Sequence, residues 1–344
     1  MNNAVQELND PLEVAEPAAA KPRAAELPSP SVPWRFLLAL PLAALAALGV
    51  HAWASHKQLP PESQPYFVLL VSVLVLSMLA AACQPFSAWL RKRMPHFCPL
   101  FAAALVLLAI WESVTSGLRW LPMPYFPSPA GVLRSLIDDR ELLWDSTWHS
   151  LVLLLSGYAL GVIVALVTGI CIGWFGRARY WGMPLLKILG PIPATAWIPL
   201  AMVVSPKASF SAVGIIALAV WFPVTMLTVS GISNTRASYL DVARTLGAKQ
   251  SYLIFRVAIP AALPNIFIGL FMGLGASFLT LIVAETVGVK SGLGWYVAWA
   301  QGWAEYGKVY AALVIMAAFF STIMTALFKV RDRVLGWQKG VIKW

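Results

Sequence analysis

The sequence is short of charge. Only 12% of its 344 residues are Asp, Glu, Lys or Arg, and 15 acidic residues stand against 25 basic ones. A soluble domain carries about a quarter charged residues, so a water-exposed globular surface is excluded for most of the chain. Cysteine is scarce as well. Cys83, Cys98 and Cys171 lie in or beside apolar runs, without metal-ligand spacing or the numbers for a disulfide framework. They read as small hydrophobic packing residues. His51, His56, His96 and His149 are dispersed, and no paired-His or nucleophile motif appears. The tract Gly288-Val289-Lys290-Ser291 lacks the adjacent Gly-Lys pair and upstream glycine of a phosphate loop, so nothing predicts nucleotide hydrolysis on this chain. The net charge of +10 does not predict nucleic-acid binding, because the basic residues are scattered between apolar spans.

Long hydrophobic runs are what the chain has instead. Hydrophobic residues make up 59% of it, with a mean hydropathy of +0.74. A helix needs about 20 apolar residues to cross a bilayer core. Eight spans are predicted, near 34–54, 66–84, 97–115, 149–175, 184–204, 210–231, 263–285 and 307–328. The fold class is therefore an all-α polytopic membrane protein. Residues 1–30, rich in Ala, Pro and Glu without apolar period, are expected to be a disordered tail. With Glu7, Asp10, Glu13 and Glu16 they do not make a signal peptide. With the N-terminus inside, most of the 25 Lys and Arg fall in inner segments. That bias predicts both termini in the cytoplasm.

Local patterns add detail. The outer segment 117–148 predicts a Pro-rich turn and then an amphipathic helix near 130–143, with Trp120, Trp144 and Trp148 as an interfacial aromatic belt. The fourth span carries Gly157, Gly161, Ala165, Gly169 and Gly173 on one face, and the seventh repeats this with Gly269, Gly273 and Ser277. Small residues let helices approach closely in lipid. Such stripes fit either a bundle around a pathway or static packing. The fifth span is interrupted by Pro184, Pro191, Pro193 and Pro199. Non-helical backbone at membrane depth is tolerated inside protein or along a watery cavity, so Thr195 and Trp197 are pathway candidates, with a packing role equally open. Glu285 ends the seventh span, where a carboxylate either sits in water or faces the pathway.

One long polar interruption breaks the apolar second half, Ser238 to Pro264. Ser238 and Asp241 have capping-box spacing, which predicts a short helix from about Tyr239. Gly247 predicts its stop, and a second short helix is expected to end before Ile259-Pro260. The run Asp241-Val242-Ala243, three residues, Gly247, nine residues, Val257-Ala258-Ile259-Pro260 resembles the EAA loop of binding-protein-dependent ABC importer permeases. Asp241 stands where Glu is usual, and Val242 replaces the first Ala. The Pro191-x-Pro193-Ala-x-Ala-Trp197-x-Pro199 run, Trp111-Glu112 with Pro127-Ser128-Pro129, and Glu285 followed by Ser291-Gly292-Leu293-Gly294 resemble the nitrate, sulfonate and taurine (bicarbonate) branch.

The resemblance covers about Ala104 to Trp337 and implies a type I importer permease core over 97–337, with a cytoplasmic coupling loop at 232–262. Residues 31–96 then hold two additional spans, expected to be dispensable for the core, and 338–344 a cytoplasmic tail. It implies ATPase-coupling residues Asp241, Ala243, Gly247, Val257, Ile259 and Pro260, and pathway residues Pro191, Pro193, Thr195, Trp197 and Glu285. It implies partner ATP-binding cassette ATPase subunits that carry the ATP and Mg, a periplasmic or lipid-anchored binding protein, and a second permease copy, with no cofactor on this chain. Localisation in the bacterial inner membrane follows. The substrate would be a small oxyanion such as nitrate, an alkanesulfonate or taurine. A pyrimidine vitamin precursor is the alternative, and a membrane-embedded transferase or a secondary transporter with inverted repeats are the rivals from other classes. The sequence has few convergent polar residues for a transferase and no repeated half for an inverted-repeat transporter.

Overall fold

A computed structural model describes residues 34–55, 64–84, 87–121, 124–205 and 207–337. The tails expected at 1–30 and 338–344 lie outside the described residues. No strand occurs among the described residues, and the apolar runs all become helix.

The first three helices are α1 (Trp34–Ser55), α2 (Gln64–Cys83) and α3 (Ala88–Glu112), and α3 runs on as a π turn over Ser113–Gly117. They pack on one another through Ala43, Ala44 and Ala47 of α1, Leu70 of α2, and Ala102, Leu105 and Ala109 of α3. Although α3 is the first helix of the expected core, it lies along α1. It reaches the remaining helices through α4 (Pro129–Asp138) and a ring contact between Trp111 and Tyr310, 5.9 Å between centroids. The helix α4 starts where Ser128 Oγ accepts the Gly131 N–H at 3.1 Å, with proline in the first turn. The sequence predicted this helix to run to 143. It stops at Asp138, and Arg140 opens α5 (Arg140–Trp174), so the fourth span starts about two and a half turns earlier than its apolar run.

Beyond α5 come α6 (Gly176–Leu189), a 3-10 turn over Ala194–Trp197, α7 (Ile198–Val204) and α8 (Ala208–Ser233). The polar interruption holds α9 (Ala237–Thr245) and α10 (Gln250–Tyr252), and a π turn over Leu253–Ala258 leads into α11 (Ile259–Val287). The chain finishes with α12 (Leu293–Gly302) and α13 (Tyr306–Val334). Seven stretches are long and apolar enough to cross a membrane, and the eighth expected span is a broken one, α6 and α7 meeting at a bend of 84°. The bend falls at Gly190–Pro193, where proline removes backbone donors.

The centre of the bundle is α8 between α5 and α11. Both small-residue stripes face it. A Cβ on Gly161 would stand 2.7 Å from the Ala217 carbonyl oxygen, and one on Gly169 would stand 2.7 Å from Thr228 Cβ. On the other side Gly269 and Gly273 abut Val224. The stripes are thus packing surfaces that let three backbones approach closely.

Candidate functional site

The polar interruption folds as a lobe on a helical stem. Its first helix departs from the predicted capping box. α9 opens at Ala237, so Ser238 already has helical backbone and cannot cap from the extended geometry a cap needs. No side chain caps this end, and Asp241 pairs on the exposed surface with Arg244 at 3.0 Å. The other end is as expected. Gly247 has φ +79°, the Gly247 N–H donates to the Arg244 carbonyl at 2.9 Å, and the Ala248 N–H donates to the Ala243 carbonyl at 3.0 Å. This is a Schellman stop, and it puts Ala243 and Gly247 in a single turn.

The second helix does not end before Pro260. From Gln250 the chain is helical through to Val287. The Ile259 N–H donates to the Ile254 carbonyl, five residues back, and this wider turn takes the proline into a continuous rod. Val257, Ile259 and Pro260 are half-buried in the stem, while Ala258 is fully buried against Ile232, Ala262 and Ile266. The predicted loop residues therefore divide: Asp241, Ala243 and Gly247 form the lobe, and Val257, Ile259 and Pro260 form its root.

Three residues were missed. Tyr239, Val242 and Leu246 leave 52%, 60% and 83% of their surface exposed. Their spacing of three and four puts them on one face of α9, a signal that was present in the sequence.

The broken span borders a cavity of about 620 Å³. Pro193, Thr195 and Trp197 line it from the bend, Trp221 and Phe222 from α8, and Met272 and Thr280 from α11. Pro191, although exposed, is not among its walls. Trp197 both lines the cavity and packs against the apolar cluster around Ile198 and Ile216. No lining residue is charged, the Trp221 N–H is held by Thr168 Oγ1 at 3.0 Å, and the Thr280 hydroxyl donates to the Ala276 carbonyl at 2.8 Å.

Glu285 lies elsewhere. It is 1% exposed, not in water. Its Oε1 accepts the Ser150 hydroxyl and its Oε2 the Gly294 N–H, both at 2.7 Å, and Ser150 Oγ accepts the Leu293 N–H at 2.8 Å. The carboxylate thus sits at the N-terminus of α12, where free N–H groups and the helix dipole favour it. Gly292, at φ +102°, and Gly294 leave room for it, since a Cβ at either would strike the carboxyl group. Glu285 borders a separate cavity of about 360 Å³ with Trp148, His149 and Phe210. Nearby, the buried Tyr296 hydroxyl donates to Asp139 at 2.7 Å, and Lys308 bridges Asp139 and Glu305. Burial, then the Asp139 hydrogen bond, pushes the Tyr296 phenol well above its usual range.

Comparison with known proteins matches residues 157–335, from the small-residue stripe of α5 through the lobe to the end of α13, to the family of binding-protein-dependent transport system inner membrane components. The chain belongs to this family. It is similar to SsuC of Bacillus subtilis, assigned as an aliphatic sulfonates transport permease protein, at 31% identity over 73% of this chain and 91% of that one. It is similar to the bicarbonate transport system permease protein CmpB of Synechocystis, at 29% over 70% and 88%, and to the taurine transport system permease protein TauC of Escherichia coli, at 27% over 69% and 88%. This permease is a multi-pass inner-membrane transport subunit, of a family whose ATPase activity lies in a separate subunit.

Proposed function

We propose that this chain forms half of the translocation pathway of an ATP-driven importer and is moved by the α9 lobe. The observation that carries the reading is the lobe itself, a helix held outside the apolar spans with an exposed stripe of Tyr239, Val242 and Leu246 on a continuous rod into α11. A partner ATPase would seat that stripe and hold the ATP and Mg, with no cofactor on this chain. Because α11 also lines the cavity through Met272 and Thr280, a push on the lobe passes through the Gly247 turn into one continuous helix that reaches the pathway. Nucleotide state would then bias two arrangements of one bundle. The cavity is open on one side, and α7 leaves Leu200, Val203 and Val204 exposed beside it, which supports closure by a second copy of the chain.

The relatives are named for aliphatic sulfonates, bicarbonate and taurine, and the cavity wall here is uncharged. Any anionic head group would lack a compensating charge there, and an alkanesulfonate or taurine also brings an apolar body that this wall suits. The rings of Trp197, Trp221 and Phe222 also suit a flat heterocycle such as a pyrimidine vitamin precursor. A binding protein on the outer face would deliver either. The basic-residue bias supports both termini and the lobe in the cytoplasm.

The test is reconstitution with the ATPase that co-purifies and with a binding protein whose ligand has been found by screening. Binding-protein-stimulated ATP hydrolysis and uptake of that ligand are expected, and failure of any ATPase to co-purify would end the reading. Labelling of Ala248→Cys from outside intact cells would reverse the topology.

A further inference from the structure

A buried ionisable pair lies where α1 meets α3. The His51 Nδ1–H donates to Glu112 Oε1 at 2.5 Å, with the two residues 4% and 2% exposed. The Ser55 hydroxyl stands 3.5 Å from the other ring nitrogen, and Tyr66 of α2 meets the imidazole edge-on at 5.2 Å between centroids. Ionisable groups in apolar spans are costly and, when present, mark something the fold needs. This pair belongs neither to the cavity nor to the lobe.

Its position along the seam is informative. On α1 the buried face reads Ala44, Ala47, His51, and on α3 it reads Ala102, Leu105, Ala109, Glu112. Both follow the three-and-four spacing of a helix seam. The apolar part is mostly alanine, which packs closely but sets no register, since one alanine fits the place of another. In lipid there is no hydrophobic driving force between helices, so apolar packing holds them together without choosing among similar registers. A single polar position in such a seam fixes which residues face each other.

We propose that His51 and Glu112 are a register key that fixes the added helices α1 and α2 on the permease and makes them a working part of it. With α1 seated on α3, α2 is held against α4, whose Ala130 belongs to the same apolar cluster. One residue, Asp139, joins α4 to α5, the helix whose stripe packs on the centre of the bundle. The seating of α1 therefore sets where the outer end of α5 stands. On this proposal the permease depends on residues 31–96, against the dispensability expected from the extent of the resemblance.

The test is a mutational cycle in the full-length chain, reading the amount of monodisperse protein in detergent and its thermal unfolding midpoint. His51→Leu leaves a carboxylate alone in the apolar seam, and Glu112→Leu leaves an imidazole. Each single variant should lower the midpoint by several degrees. The double variant His51→Leu/Glu112→Leu, in which neither member of the pair is left without the other, should recover most of the loss, and so should the exchange His51→Glu/Glu112→His. Recovery by a second truncation is a result that ordinary packing residues do not give. Singles that behave like the parent would overturn the key. So would a double variant as impaired as the two losses added, or failure of both the double and the exchanged chain to fold.

Discussion

Gly247 shows how one residue's backbone sets the geometry of the lobe. A Cβ placed there meets nothing within 4 Å, so space is not what glycine supplies. Its φ of +79° is, and a β-branched side chain at that angle strains the backbone by about 1–2 kcal/mol or more. Gly247→Val should therefore lower ATPase stimulation and uptake sharply, while Gly247→Asn, which tolerates the left-handed region, should keep most of both. Equal loss in the two variants would point to the presence of any side chain there rather than to φ. Glu285 makes the opposite case, a side chain whose partners are all distant. Glu285→Leu leaves the Gly294 N–H and the Ser150 hydroxyl without an acceptor. Each stranded buried group costs about 1–3 kcal/mol, so a detergent-solubilised variant should unfold several degrees earlier. Gly247 was legible because a helix stop is local. The burial of Glu285 was not legible, because its hydrogen bonds come from residues 135 and 9 positions away, which no local pattern carries. The Ser238 capping box failed for a related reason. Its spacing was right, but the chain leaving α8 turns early enough for helix to start at Ala237.

At the scale of elements, the apolar runs and the glycine stripes were readable because they repeat. Eight runs became seven crossing helices and one bent pair, and both stripes face α8. What the runs could not indicate was continuity. The π turn at Leu253–Ala258 carries helix through a proline where a propensity argument ends it, and α5 extends outward through polar residues that hydropathy leaves out. Nor could the runs indicate that α3 sides with α1. The stripe makes a prediction with a built-in control. Gly161→Ala places a methyl 2.7 Å from the Ala217 carbonyl, and the α5–α8 backbones must separate to take it. Overpacking of this kind costs about 1–3 kcal/mol. Gly275→Ala, on α11, meets nothing within 4 Å and should be neutral or slightly stabilising. Thermal unfolding of the two purified variants checks the contrast, and equal midpoints would mean that the helices do not hold the close approach that the stripe allows.

For the whole molecule, the proposed route from ATPase to pathway is a rod with a handle at one end and a cavity wall along its side. Leu246 is the most exposed apolar residue of the handle, at 83%. It contributes almost no packing within this chain, so Leu246→Glu should leave the unfolding midpoint and membrane insertion as they are. In an apolar docking groove, however, a carboxylate is desolvated without a partner, and one charge of that kind at an interface centre costs several kcal/mol. Co-purification of the ATPase should fall at least tenfold, since about 1.4 kcal/mol corresponds to each factor of ten. Ala243→Trp attacks the same end by bulk and should also reduce it. Asp241→Ala removes an exposed ion pair with Arg244, worth at most about 1 kcal/mol, and should reduce it little. The order of the three decides the reading. If the lobe docks through its apolar stripe, Leu246→Glu is worst and Asp241→Ala mildest. If charge at Asp241 makes the contact, as the position of the usual Glu in the EAA pattern implies, the order reverses and the stripe of α9 faces lipid headgroups instead.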